Sequence, residues 1–245
     1  MRKSKYLIIN SFYFDFNNDL TDIINVKKLF KNQTVLDLFR FDKITIIKKI
    51  NYENNINFIY LPQSIEIIDD ESFESNQIKI LDLSYCINLK NIERFAFKEN
   101  QIKQLKLSKN IEIIGNFAFD GNQIETLNLS NCINLRIIKV YAFFNNQIKQ
   151  LKLPQNINLI NVYAFSNNQI EILDFSKYLN LKKIGAYAFS VNPLKEIKIL
   201  GNITIDYIVA YKNDIWNEFV KYYNDNNKKA GDYKLENNEW QWYPL

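Results

Sequence analysis

The chain predicts an α/β repeat solenoid, mainly β, with a cap at each end. Three observations carry that prediction. Ala-Phe pairs close at Phe97, Phe119, Phe143, Phe165 and Phe189, a Ser-Phe version closes at Phe73, and successive gaps are 24, 22, 24, 22 and 24 residues. An asparagine follows each of them, at Asn76, Asn100, Asn122, Asn146, Asn168 and Asn192, in the same alternation. Between these marks lie short stretches in which apolar and polar residues alternate. Self-similarity at this period marks a solenoid, in which each repeat adds one coil and contacts only its neighbours.

Residues 1–31 do not repeat and form the predicted N-terminal cap, which keeps the first coil from exposing its apolar cross-section. Within it, Tyr6–Phe16 is rich in aromatic and β-branched residues and reads as a strand. Asp19 is placed to cap a helix that carries Leu20, Ile23, Ile24 and Phe30 on one face. The solenoid is expected over residues 32–213, with clear repeats over 54–191. Residues 32–53 read as a worn coil, because Asn32-Gln33-Thr34 echoes the Asn-Gln-Ile opening but no Ala-Phe pair follows. The copy from Asn54 to Ser75 is better, with Ile56, Ile59 and Leu61 in strand positions.

The copy opening at Asn100 shows the grammar. Ile102, Leu105 and Leu107 point inward and Gln104 and Lys106 outward by two-residue alternation. Ile111, Ile113 and Ile114 form a second apolar stretch, and Gly115 is expected to permit the turn into Phe117-Ala118-Phe119. Long copies insert two residues after the first strand and add Leu89, Leu135 or Leu181 to the core. Each repeated phenylalanine is expected to stack on its counterparts, and each repeated asparagine to bond the backbone of an adjacent turn. Residues 214–245 form the predicted C-terminal cap. A helix starting near Asp214 carries Ile215, Trp216, Phe219, Val220 and Tyr223 on one face. A hairpin turning at Asn237-Asn238 follows, with Gly231 as the hinge between the two. Trp216, Tyr222, Tyr223, Trp240 and Trp242 either complete that cap or form a binding platform.

Composition excludes more than it selects. The 245 residues contain no histidine, which removes the commonest general base and zinc ligand. Five scattered glycines cannot make a phosphate-cradling loop. No catalytic, cofactor-binding or metal-binding residue is therefore expected. The acidic run Asp69-Asp70-Glu71 reads as a solvated turn. Cys86 and Cys132 occupy the same repeat position two coils apart, roughly 9–10 Å at the usual strand spacing, too far for a disulfide. Asn32-Gln-Thr34, Asn128-Leu-Ser130 and Asn202-Ile-Thr204 fit the glycosylation pattern, as chance allows in an asparagine-rich chain. The net charge of +4 comes from 31 basic and 27 acidic residues, a near balance that does not mark a nucleic-acid binder. No apolar run is long enough to span a bilayer. Arg2, Lys3 and Lys5 open like a signal peptide, but Tyr6–Ile9 is too short for its apolar region, so a cytoplasmic location is expected. A secreted or surface location would require a leader outside this sequence.

Two outward columns along the first strands remain as candidate partner-binding residues. One runs Phe58, Ile80, Gln104, Thr126, Gln150, Ile172 and the other Tyr60, Asp82, Lys106, Asn128, Lys152, Asp174. Pairing of Lys152, Asp174 and Lys198 across adjacent strands would account for some of the charge. The aromatic side chains make the N-terminal end the preferred contact region.

The coil resembles the BspA-like leucine-rich repeats of bacteria and some protists. The matching words are Ile114-Gly115-Asn-Phe-Ala118-Phe119 and Ile184-Gly185-Ala-Tyr-Ala188-Phe189, with Leu61-Pro62 and Leu153-Pro154 similar to that family's strand endings. The tail from Lys228 to Tyr233, followed by Trp240, also resembles a closing segment found in some members. The resemblance implies a right-handed leucine-rich-repeat superhelix of six to eight coils with a parallel concave sheet. It implies a non-catalytic scaffold that binds another protein on that sheet, or alternatively a surface adhesin for host matrix or cell-surface ligands. A basic nucleic-acid or glycan binder is a third reading, and would need Lys106, Lys152 and Lys198 to act as one column with steep salt dependence.

Overall fold

The computed structural model describes residues 6–9, 12–15, 34–39, 42–48, 56–201, 203–208 and 214–245. At the N-terminus, β1 (Tyr6–Ile9) and β2 (Phe12–Asp15) pair antiparallel, with Tyr6 opposite Asp15. The single strand expected over Tyr6–Phe16 is thus two strands folded back on each other. The helix expected to carry Leu20, Ile23, Ile24 and Phe30 lies outside the described residues.

From Val35 onward every coil contributes a longer first strand and a two-residue second strand. The first strands are β3 (Val35–Asp37), β5 (Phe58–Tyr60), β7 (Ile80–Asp82), β9 (Gln104–Lys106), β11 (Thr126–Asn128), β13 (Gln150–Lys152), β15 (Ile172–Asp174) and β17 (Glu196–Ile199). The second strands are β4 (Ile46–Ile47), β6 (Ile67–Ile68), β8 (Asn91–Ile92), β10 (Ile113–Ile114), β12 (Ile137–Ile138), β14 (Leu159–Ile160), β16 (Lys183–Ile184) and β18 (Thr204–Ile205). Each of these pairings is parallel and in register. The worn stretch before residue 54 holds β3 and β4 and stacks as a coil.

The two ladders differ. The second strands form one unbroken eight-stranded sheet from β4 to β18. The first strands fall into pairs, β3–β5, β7–β9, β11–β13 and β15–β17, with no sheet joining one pair to the next. The strands β7, β11 and β15 belong to the long copies. Each pairs with the short coil after it and not with the short coil before it. The breaks thus fall where a short coil is followed by a long one. What remains across each break is a backbone bond ahead of the strand, such as Gln77 N–H to the Ile56 carbonyl or Gln123 N–H to Ile102, both 3.0 Å, together with side-chain bonds such as Ile56 N–H to Asn76 Oδ1.

The core is a set of columns along the solenoid axis. Rings of Phe73, Phe97, Phe119, Phe143, Phe165 and Phe189 stack face to face, their centroids 5.2, 5.4, 5.3, 5.5 and 5.4 Å apart. The asparagine column ties coil to coil. Asn100 Oδ1 accepts the Ile78 N–H (3.1 Å), and its Nδ2 donates to the carbonyls of Phe73 (2.8 Å) and Phe97 (3.2 Å). Asn122, Asn146, Asn168 and Asn192 repeat the pattern. One buried side chain thus satisfies backbone groups that the turn would otherwise strand.

A second aromatic column lies two residues before the first. Phe95, Phe117, Tyr141, Tyr163 and Tyr187 stack at 5.0, 4.6, 4.7 and 4.9 Å. All five sit in the left-handed backbone region, with φ between 55° and 58°. Ring stacking in these five coils offsets a backbone geometry that costs an L-residue about 1–2 kcal/mol, and Glu71 holds the same geometry without a ring. Gly115 does not have the positive φ of a turn glycine. A Cβ there would lie 2.6 Å from the Glu93 carbonyl carbon, and one at Gly185 would lie 2.5 Å from Val162 N. These glycines let neighbouring coils approach, rather than letting the chain turn.

The C-terminal cap is α1 (Ile215–Asp225), β19 (Gly231–Glu236) and β20 (Glu239–Tyr243). Asp214 caps the helix by accepting the N–H groups of Trp216 (2.9 Å) and Asn217 (3.4 Å). Asn237 and Asn238, at φ 51° and 65°, make the tight hairpin turn, and β19 runs antiparallel to β17. Trp216 ends the phenylalanine column, its ring 5.1 Å from Phe189, and Phe219, Tyr223, Tyr233 and Trp240 bury behind it. The cap aromatics therefore close the core. Gly231 begins β19, where a Cβ would collide with the Trp242 indole. It makes room for that ring and is not a hinge.

Candidate functional site

The strands β3, β5, β7, β11 and β15 bury their central residue and expose the two flanking it, while β9 and β13 leave Leu105 and Leu151 half-buried between exposed neighbours. The twelve residues expected to meet a partner all lie on this face. The register sets Ile80 beside Gln104, Thr126 beside Gln150, and Asp82 beside Lys106. The pairwise break in the ladder separates Tyr60 from Asp82 and Lys152 from Asp174, so neither column is a continuous bonded ladder.

Exposed apolar side chains concentrate at the N-terminal end. Val35 is 41% exposed, Phe58 42%, Tyr60 53% and Ile80 48%, and Val35 lies directly opposite Phe58. Ile172, 57% exposed, stands apart toward the other end. Strand backbones hold all of these in place, so burial against a partner would cost little further ordering.

Charges on this face follow the two-coil unit. Lys106 Nζ lies 3.2 Å from Asp82 Oδ2. Asp82 also accepts the Ser84 backbone N–H (3.0 Å) and hydroxyl (2.5 Å). Partial burial opposes its charge, but the Ser84 bonds and Lys106 outweigh that and hold the carboxyl below its usual range. Asp174 makes the same turn with Ser176, and its carboxyl is likewise held low. In the third unit Asn128 takes this place, accepting from Ser130, and leaves Lys152 beside an uncharged amide. The expected run of pairs through Lys152, Asp174 and Lys198 does not form. Lys198 lies opposite Asp174 but turns to Glu196 on its own strand, 3.1 Å away.

A third column, one residue ahead of the strands, was not among the candidates. Glu125 pairs with Lys149 at 3.6 Å, and Glu171 with Lys195 at 2.9 Å. At the same position in the β7–β9 unit stand Lys79 and Lys103, joined by a 2.9 Å backbone bond. The sequence signal was available, because Lys79 and Lys103 precede a Glu-then-Lys rhythm that runs Glu125, Lys149, Glu171, Lys195.

Other groups are committed to structure. Asp70 Oδ1 accepts the Arg94 N–H at 2.9 Å, and Arg94 reaches Asp70 and Glu71 at 3.4 and 4.0 Å. The acidic run is thus a tie between coils. Cys86 and Cys132 are free and buried, and burial pushes both thiols up to about 11, where they are unreactive. Among the described residues there is no group of three side chains that would hold a metal ion, and no helix long and apolar enough to cross a membrane. A cleft of about 630 Å³ lies beside Tyr141, Tyr163, Val191, Asp214 and Ile215. Its aromatic wall offers ring edges, because the faces of Tyr141 and Tyr163 are covered by each other.

Comparison with known proteins returns the model of the BspA type leucine rich repeat region, which matches in six copies over residues 25–134 and 114–238. No curated protein matches the chain. A leucine-rich repeat protein from Bacteroides ovatus ATCC 8483, known from a crystal structure, aligns at 17% identity with a TM-score of 0.42. The alignment covers 82% of this chain and 57% of that one, so the chain spans little more than half of that protein's length.

Proposed function

We propose, for a chain that belongs to the BspA-type leucine-rich repeat family, that its task is to hold another protein against the face made by the first strands, without catalysis. Repeat scaffolds of this kind are typical protein-interaction modules and typically carry no enzymatic activity. The observation that carries the reading is the row Val35, Phe58, Tyr60 and Ile80. These large apolar side chains stand exposed on strands whose opposite face already supplies the core. Nothing in the packing of the coil requires them to be apolar, and other coils carry Gln104, Thr126 and Gln150 at the same position. Apolar side chains clustered on a rigid surface mark an interaction site.

The test is capture from a lysate of the source organism by the wild type and by a Phe58→Lys, Tyr60→Lys, Ile172→Lys variant of equal melting temperature. A partner retained by the wild type and lost by the variant supports the reading. Equal retention by both clears this face and overturns it.

A further inference from the structure

We infer that the face takes an acidic polypeptide segment, whose carboxylates meet Lys79, Lys103 and Lys152 and whose apolar side chains meet Phe58 and Ile80. The inference rests on the docking face proposed above and names the chemistry of its occupant. Its argument is internal to the repeats. The scaffold repeats one self-neutralising pattern: an acid on the long coil, a lysine on the short coil after it. Glu125–Lys149, Glu171–Lys195 and Asp82–Lys106 follow it with contacts of 3.6, 2.9 and 3.2 Å. Three positions break it, one of them Asp174, whose opposite Lys198 pairs with Glu196 on its own strand; the other two leave lysines without an acid. Lys79 stands where an acid is due and faces Lys103, and Asn128 stands where an acid is due and faces Lys152.

Lys79 and Lys103 follow each other on adjacent coils, joined through their backbones, and no acid separates their charges. An acid at Lys79 would complete the pairing seen at Glu125–Lys149 and Glu171–Lys195. Among the described residues, Lys79, Lys103 and Lys152 have no carboxylate within ion-pair distance, while Lys106 and Lys149 each have one. All three lysines are exposed, Lys152 on the outer face of its strand and Lys79 and Lys103 one residue ahead of theirs. Lys79 immediately precedes Ile80, which is 48% exposed. Positive charge beside an apolar patch complements a segment that alternates acidic and apolar residues, and steers its approach.

The experiment pans a random twelve-residue peptide library on three forms of the full chain. These are the wild type, a Lys79→Glu, Asn128→Asp variant that restores the pairing pattern, and the Phe58→Lys, Ile172→Lys variant. The wild type is expected to enrich peptides rich in Asp and Glu next to aromatic or aliphatic residues. The restored variant is expected to bind such a peptide at least tenfold more weakly, with a melting temperature equal to or above the wild type's. That combination separates recognition from folding. Selection of peptides with no acidic enrichment that still fail on Phe58→Lys, Ile172→Lys would overturn the acidic occupant and leave the docking face standing. Peptides insensitive to both variants would overturn the face itself. Binding of a heparin oligosaccharide without acidic peptides, or no peptide above background, would also overturn the inference.

Discussion

The two strand ladders are made by the same coils, yet one runs unbroken through eight strands and the other divides into four pairs. The second ladder buries an isoleucine in every strand, while its outer position ranges over Ile, Leu, Asn, Lys and Thr. Its neighbour toward the turn, the phenylalanine column, keeps one residue in six successive coils. On the first ladder the inward residue is nearly as constant, but the outward residues change from coil to coil. The difference separates two tasks. What stacks must be identical, because each coil's partner is a copy of itself. What faces outward is free to differ, and does.

The sharpest way to break that separation is Phe143→Ala. Removing a fully buried ring from the middle of the column is expected to cost about 3–5 kcal/mol, read as a fall in denaturation midpoint. A melting temperature within a degree of the parent would show that the column does not hold the array together. Next comes Asn146→Ala. Asn146 accepts the Ile124 N–H at 3.2 Å and donates to the Phe119 carbonyl at 2.9 Å, so its loss should cost about 2–4 kcal/mol in urea unfolding.

Asp120 sharpens the comparison from the other side, because it is an ionisable group inside the repeated turn. Burial pushes its carboxyl up to about 6, Lys98 partly opposing and Glu99 reinforcing that rise. Between about pH 4 and pH 6 the native state keeps a proton that the unfolded chain has released. Stability should therefore fall as pH rises through that window and stay lower above it. Asp120→Asn is expected to flatten the slope and to add on the order of 1–3 kcal/mol at pH 7. Unfolding curves at pH 4, 5, 6 and 7 decide it, and parallel slopes in parent and variant would contradict it. The smallest effect belongs to the first-ladder surface. Lys106→Met breaks the contact with Asp82 at a cost of about 0.2–1 kcal/mol, and a larger loss would mean that this face also supports the fold.

Much of this was legible in the residues. The Ala-Phe spacing located the coils, the asparagines located their ties, and the alternation in each copy located the outward columns. The second aromatic column was equally regular, at Phe95, Phe117, Tyr141, Tyr163 and Tyr187. It escaped notice because a residue before Ala-Phe reads as a turn, and turns are not where stacking is sought. Gly115 and Gly231 were misread for a related reason. Local grammar assigns a glycine to its own backbone conformation, whereas these two answer to atoms of Glu93 and Trp242, far away in sequence. The candidate site was read as two continuous columns, because alternation shows which way a side chain points but not which strands are bonded. The 22- and 24-residue steps held that information, since the breaks fall where a short coil is followed by a long one. Lys79 and Lys103 were passed over because they stand just outside the strands, where charge reads as solvation.

The pairing of long with short coils also sets how such a chain can change its length. Gain or loss of one coil would leave a long or a short copy without the neighbour it pairs with in β7–β9, β11–β13 and β15–β17. Gain or loss of 46 residues, the distance from Cys86 to Cys132, leaves the phase intact. For unequal recombination the inherited module is therefore the doublet, and each doublet carries its own outward set of side chains. New recognition surfaces can be spliced in or removed two coils at a time, with the columns beneath them unaltered.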